Sequence, residues 1–284
     1  MLKPNSKWFA MAAAVAFGCG GGDGGADAGS DAGAGAGDDA PAAAAMEPAG
    51  TAAISGTISF AGTAPAGTAI DMSEETVCAE KHATTPMAYS VRVGDAGGLA
   101  DVFVYVKEGL GDQSFAAPST PVVLDQEGCE YRPHVLGVMV GQDMTIRNSD
   151  AVLHNVNTQP TENRGFNRSQ PREGMEANVS FNTAEVMIPV KCDVHGWMTA
   201  YIGVTDNPFH ATSGADGSFT ISGLPAGDYV IEAWHPTLGS STMSVTVGDA
   251  ETGTADFSFS EGMANAVPMG EAVDLLHPEG HVAG

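Results

Sequence analysis

From Ile54 onward, apolar and polar side chains alternate with a period of two. Ile54, Gly56, Ile58 and Phe60 fall on one face, and Tyr89, Val91 and Val93 repeat the pattern, as half-buried strands do. Residues 102–106 are apolar on both faces, which predicts an interior sandwich strand. Further strands are predicted over 122–124, 135–140, 144–147, 152–157, 177–181, 185–190 and 200–204. No stretch sustains a helical period, and Gly, Pro and Asp separate the runs. The fold class is therefore all-β, a sandwich occupying residues 54–205.

A smaller unit is predicted over 206–260. Asp216-Gly217 is a turn signal, with Phe219 and Ile221 alternating after it, and Leu224-Pro225-Ala226-Gly227 makes a corner. Tyr229, Ile231 and Ala233, then Met243, Val245 and Val247, then Phe257 and Phe259 complete an antiparallel set. So short a segment makes a marginal core alone, so it is expected to pack on the first. Residues 261–284 read as a loose tail in which Met263, Met269, His277 and His281 are solvated rather than ligands.

The first residues read as an address. Lys3 and Lys7 precede an apolar run from Trp8 to Phe17, too short to span a bilayer and suited to a signal-peptide core. The run ends at Ala16-Phe17-Gly18-Cys19, which resembles a bacterial lipoprotein processing site, so 1–19 is expected to be a signal with Cys19 carrying lipid. Residues 20–53 are Gly, Ala and Asp with nothing to bury, a disordered tether. Gly20, Gly22 and Gly25 spell a dinucleotide fingerprint, but no strand precedes it and no helix follows, so that function is excluded.

Charge narrows the partners. The net charge is −24, spread as −4, −9 and −11 over residues 1–53, 54–205 and 206–284. The last segment has no Lys or Arg. Such a body excludes nucleic acid, and leaves the membrane only through the N-terminal lipid. It favours solubility in a salty exterior, or a basic redox partner of the cytochrome kind.

The strongest chemistry lies in Cys192-Asp193-Val194-His195-Gly196-Trp197-Met198, with His154-Asn155-Val156 upstream. A thiolate, two imidazoles and a weak thioether form the donor set of a blue copper site. Zinc fits the ligand types less well, having no need of Met. A hydrolase built on Cys192 and His195 has no orienting partner and no oxyanion hole.

The His-Asn-Val start and the Cys-x-x-His-x-x-Met loop resemble the cupredoxins, the plastocyanin-like blue copper proteins. The run Tyr131 to Gln142 looks like that family's strand entering a Val-Gly turn, and Asn148-Ser149-Asp150 stands where Asn-x-Asp often precedes the ligand strand. Plastocyanin-like proteins associated with methylamine utilisation are similar, and in them too a small second module follows. The resemblance implies a Greek-key sandwich holding one copper per chain, with His154, Cys192 and His195 equatorial and Met198 axial. One departure stands out: only Gly196 and Trp197 separate the second His from the Met. A two-residue gap occurs in dinuclear copper centres, but those need a second Cys where this chain has Ile188.

Cysteine arithmetic agrees. With Cys19 assigned to lipid, Cys78 and Cys129 can pair and leave Cys192 free to ligate. The rival is that Cys129, near His134, builds a second metal site. His82 and His210 show no partner and read as surface residues. The small module resembles the carboxypeptidase regulatory-like, transthyretin-like domains through Ala215-Asp216-Gly217-Ser218-Phe219 and Gly223 to Tyr229. Its Ala233-Trp234-His235-Pro236 is similar to modules found beside rhamnogalacturonan and other polysaccharide lyases. The expected function is electron transfer by an envelope protein that is not an enzyme. The rivals are a carbohydrate-binding module in which Trp234 stacks on a glycan, and copper trafficking.

Overall fold

The computed structural model describes residues 50–265. The signal segment with Cys19, most of the tether, and Met269, His277 and His281 lie outside them. Among the described residues, no helix is long and apolar enough to cross a membrane. The fold is all-β, as the period-two pattern predicts.

Two sheets enclose the first core. One runs in the order Asn167–Gln170, His154–Thr158, Glu185–Lys191, Thr199–Thr205, Val135–Met139, and the other Met175–Val179, Met144–Asn148, Val122–Gln126, Tyr131–Arg132. Val138, Val156, Ile188 and Ile202 from the first sheet and Leu124 and Ile146 from the second are fully buried between them. Their alternation with outward polar residues is what gives each strand one dry face.

The second core draws on both ends of the described residues. One sheet orders His210–Thr212, Phe103–Glu108, Gly227–His235 and Gly239–Val247. In the facing sheet the long strand Ala52–Ala61 pairs antiparallel with Ser218–Leu224, and parallel with Thr252–Thr254 and Phe257–Ser260. Strand pairing therefore crosses the boundary placed at residue 205 by sequence. The C-terminal segment is too short to close a core alone, and the strands Ala52–Ala61 and Phe103–Glu108 supply Ile54, Ile58, Phe60, Val104 and Val106 to it. Ala52 and Ala53, read as tether, are already strand.

Smaller differences have local causes. Residues 89–93 are not a strand: Tyr89 is half exposed, and only Val93 bridges, to Leu99, across a turn closed by Gly94 and Gly98. Met263 sits in a 3-10 turn, Glu261–Asn265, and packs against the second core instead of facing solvent. A one-turn helix, Thr76–Ala79, carries Cys78 into the first core.

The two sandwiches meet at a notch made by missing side chains. Gly137 and Gly203 are direct partners on parallel strands. A Cβ on Gly203 would lie 2.5 Å from the Phe103 ring, and one on Gly137 would lie 2.2 Å from the His210 ring. Phe103 is fully buried. His210, read as a surface residue, packs against the Phe103 ring with centroids 5.6 Å apart.

Candidate metal centre

The loop from Cys192 to Met198 is a tight turn between two paired strands, Glu185–Lys191 and Thr199–Thr205. The Cys192 N–H donates to the Met198 carbonyl at 3.1 Å, and the Met198 N–H to the His195 carbonyl at 2.9 Å. The His195 N–H points at the Cys192 sulfur, 3.4 Å away. Gly196 keeps an ordinary negative-φ backbone and has open space around it, so the turn needs no left-handed residue.

His154 opens the neighbouring strand, and Asn155 after it fastens that strand to the loop. Its Oδ1 accepts the Asp193 N–H at 2.8 Å, and its Nδ2 donates to the Asp193 carboxylate at 3.0 Å. Asn157 and Asn167 donate to the same carboxylate. The Tyr131 hydroxyl donates to the Asn155 carbonyl. This is why a His-Asn-Val sequence, and not a lone His, precedes the loop.

The result is a convergence of donors. The Nδ1 atoms of His154 and His195 lie 2.9 Å apart, and the Cys192 sulfur is 3.9 Å from His195 Nδ1. The three ligand atoms fall within 4.8 Å of one another. His154, Cys192, His195 and Met198 are all buried, none more than 3 % exposed. Burial pushes the Cys192 thiol up, but hydrogen bonds from His154 and His195, and backbone N–H groups, outweigh it and hold the group down to about 5. Two imidazole nitrogens and a thiol buried around one point form an N,N,S donor set whose chemistry fits copper.

Behind the donors stands Asp150, which is fully buried. It accepts from His154 Nε2 at 3.0 Å and from the N–H groups of Gly128 and Cys129 at 3.0 and 2.7 Å. Lys81 lies 3.3 Å from it. Burial raises the Asp150 carboxyl, but these donors outweigh it and keep it well below the usual carboxylate range. His154 is raised on balance, its burial offset by Asp150 and Cys192.

Cys78 and Cys129 form a disulfide, and Cys192 is the free cysteine among the described residues. The bridge occupies Cys129, so the rival site with His134 does not form. His134 turns away to the Thr199 carbonyl and edges against Tyr201. His82 hydrogen-bonds the Gly128 carbonyl at 2.7 Å and so has the partner that sequence did not reveal. Trp234 packs on Tyr201, centroids 5.7 Å apart. Asp150 was visible only as the end of the Asn148-Ser149-Asp150 run ahead of the ligand strand, while its contacts with Cys129, 21 residues upstream, and with Gly128 and Lys81 were not.

No protein-family model matches the chain. No curated protein matches it either. Solved structures do, over part of its length and at low identity. A copper-containing nitrite reductase from Thermus scotoductus is 18% identical, covers 35% of this chain and 26% of its own, with a TM-score of 0.30. A purple cupredoxin from Nitrosopumilus maritimus is 20% identical over 30% of this chain and 99% of its own, with a TM-score of 0.26. A methionine-to-alanine variant of amicyanin in its copper(I) state is 20% identical over 36% of this chain and 97% of its own, with a TM-score of 0.27. This chain thus spans about a quarter of the nitrite reductase.

Proposed function

We propose that this protein is an electron carrier holding one copper in a mononuclear type 1 site, with His154, Cys192 and His195 as equatorial ligands and Met198 as the axial one. The observation that carries the reading is the buried meeting of two imidazole Nδ1 atoms with a thiol already inclined to ionise. Bound copper would supply one-electron chemistry. The chain holds the donors in one arrangement through Asn155, Asp150 and the closed loop, so little rearranges between oxidation states.

All four side chains are buried, which favours a carrier over an open trafficking site. The Tyr201 ring against Trp234 takes up contact area that a glycan would need. The acidic body suits a basic redox protein as partner. The carrier would sit in the cell envelope, anchored through a lipid on Cys19, a reading supported by the signal-like first residues of the sequence.

A copper(II) titration read by visible absorption tests the assignment. Wild type should develop an intense band at one equivalent. Cys192→Ser should lose it while near-ultraviolet circular dichroism stays native. A Ser variant that keeps the band sinks the reading.

A further inference from the structure

The Cys78–Cys129 bridge closes a long loop, and any such bridge would contribute about 4 kcal/mol in the chain-entropy model. Its position needs a separate reason. Cys78 Sγ lies 3.9 Å from His195 Nε2, the ring nitrogen opposite the one that faces Cys192. Ligand atoms of Cys129, Asp150 and His154 form a second buried group, again within 4.8 Å of one another. Each bridge sulfur therefore lies beside a nitrogen of one imidazole, Cys78 by His195 and Cys129 by His154.

The backbone is bent to put them there. Gly128 and Cys129 are consecutive left-handed residues, with φ of +67° and +58°. A non-glycine residue held there is strained by about 1 kcal/mol or more. The two successive N–H groups of Gly128 and Cys129 both donate to the buried Asp150 carboxylate. Lys81, on the segment carrying Cys78, reaches the same carboxylate. The loop and the short helix are thus both fastened to Asp150, with their sulfurs on the centre.

We propose that in its dithiol state the Cys78 and Cys129 pair is a second copper(I) site abutting the first, with Asp150 as its neighbouring anion. Thiolates select copper(I) over harder cations. The dithiol is the form in which the chain is made, before the bridge closes. From the closed form, a dithiol reductant supplies two electrons and two protons, the S–S bond breaks to two thiols, and the reductant becomes a disulfide. Binding copper(I) then releases the two protons. Closing the bridge again passes two electrons to a disulfide oxidant, which takes up two protons from water to become a dithiol, and expels the cation. The proposal adds to the carrier reading and does not require the first site to be occupied.

The test is a copper(I) titration of the full-length chain against bicinchoninate under anaerobic conditions. It compares the bridged form with a dithiol form refolded without metal, native packing being verified by near-ultraviolet circular dichroism. The bridged form should withdraw one equivalent and the dithiol form two. Equal uptake overturns the proposal. The double variant Cys78→Ser, Cys129→Ser should return to one under reducing conditions, and a second equivalent there also overturns it. Should that variant not fold, iodoacetamide mapping of wild type decides: copper(I) must shield Cys78 and Cys129 from alkylation, and full labelling counts against the site. Cys192→Ser separates the two readings, since its bridged form should take none and its dithiol form one.

Discussion

Asp150 is the residue on which the centre leans without being one of its proposed ligands. A carboxylate on the outer nitrogen of a ligating imidazole orients the ring and makes it more basic, which favours copper(II). Asp150→Asn removes that charge and leaves the Gly128 and Cys129 N–H groups facing a weaker acceptor. Copper affinity should fall about 10- to 100-fold, and the midpoint potential should rise. Competitive titration and voltammetry at one pH check both, and an unaltered potential would reduce Asp150 to scaffolding. Met198 asks a different question. Met198→Leu keeps volume, so stability should fall by less than about 1.5 kcal/mol. Colour should persist while the potential rises, because a thioether donor to copper(II) is gone. An unchanged potential would remove Met198 from the ligand set. The convergence of His154, Cys192 and His195 was legible because their residue types match the donor set of a copper centre at short spacing on one loop and one strand. The role of Asp150 was not, although the Asn148-Ser149-Asp150 run stood out, because no spacing rule connects it to the Gly128-Cys129 loop that reaches it only through folding.

Among elements, the turn after the strand Gly227–His235 is the one set to respond to acid. His235 Nδ1 accepts the N–H groups of Thr237 and Leu238 at 3.1 and 3.2 Å, so it must be unprotonated there. Burial holds His235 down to about 4 from 6.5, with Asp101 opposing and His134 adding to the effect. A group depressed on folding contributes stability above its unfolded pKa, and that contribution is lost as pH falls toward the folded value. Stability should therefore drop by up to about 3 kcal/mol between pH 6.5 and 4 on this account. His235→Asn keeps an acceptor at the same place without titrating, so its thermal melts should show a shallower decline over that window. Identical profiles would mean other groups set the acid sensitivity. Strands were legible wherever a core face alternated with solvent, as in Ile54 to Phe60. Residues 89–93 alternate too, yet form no ladder, because period two reports burial and not the presence of a hydrogen-bonding partner. Asn167–Gln170 pairs with the His154 strand while almost wholly polar, so the pattern carried no sign of it.

The described residues form two sandwiches joined through the Gly137 and Gly203 notch, and the joint can be probed without touching the candidate metal centre. Gly203→Ala forces a methyl into the Phe103 ring, and overpacking of this kind costs about 1–3 kcal/mol. Gly203 stands five residues beyond Met198, roughly 17 Å along the strand. The variant should melt several degrees lower with its copper spectrum intact. A wild-type melting temperature would show that the sandwiches are not mechanically coupled there. Sequence suggested two modules in succession, because composition and turn signals are read along the chain, whereas sheets are assembled across it. The strand Phe103–Glu108 was correctly read as interior, and its partners, Gly227–His235 and His210–Thr212, lie more than a hundred residues onward. The strand Ala52–Ala61 carries this furthest. Its neighbours are residues 218–224 and 252–260, so it is made early and must wait for almost everything else before it has an edge to join. Such distant pairings slow folding, and a half-made chain presents Ile54, Ile58 and Phe60 uncovered to whatever is nearby. Because this strand's pairings with residues 252–260 are parallel, the described chain begins at one end of it, with Ala53 against Thr252, and finishes beside the other, with Ala61 against Ser260. A peptide closing the described chain into a circular permutant therefore has to run the length of the strand, roughly 27 Å.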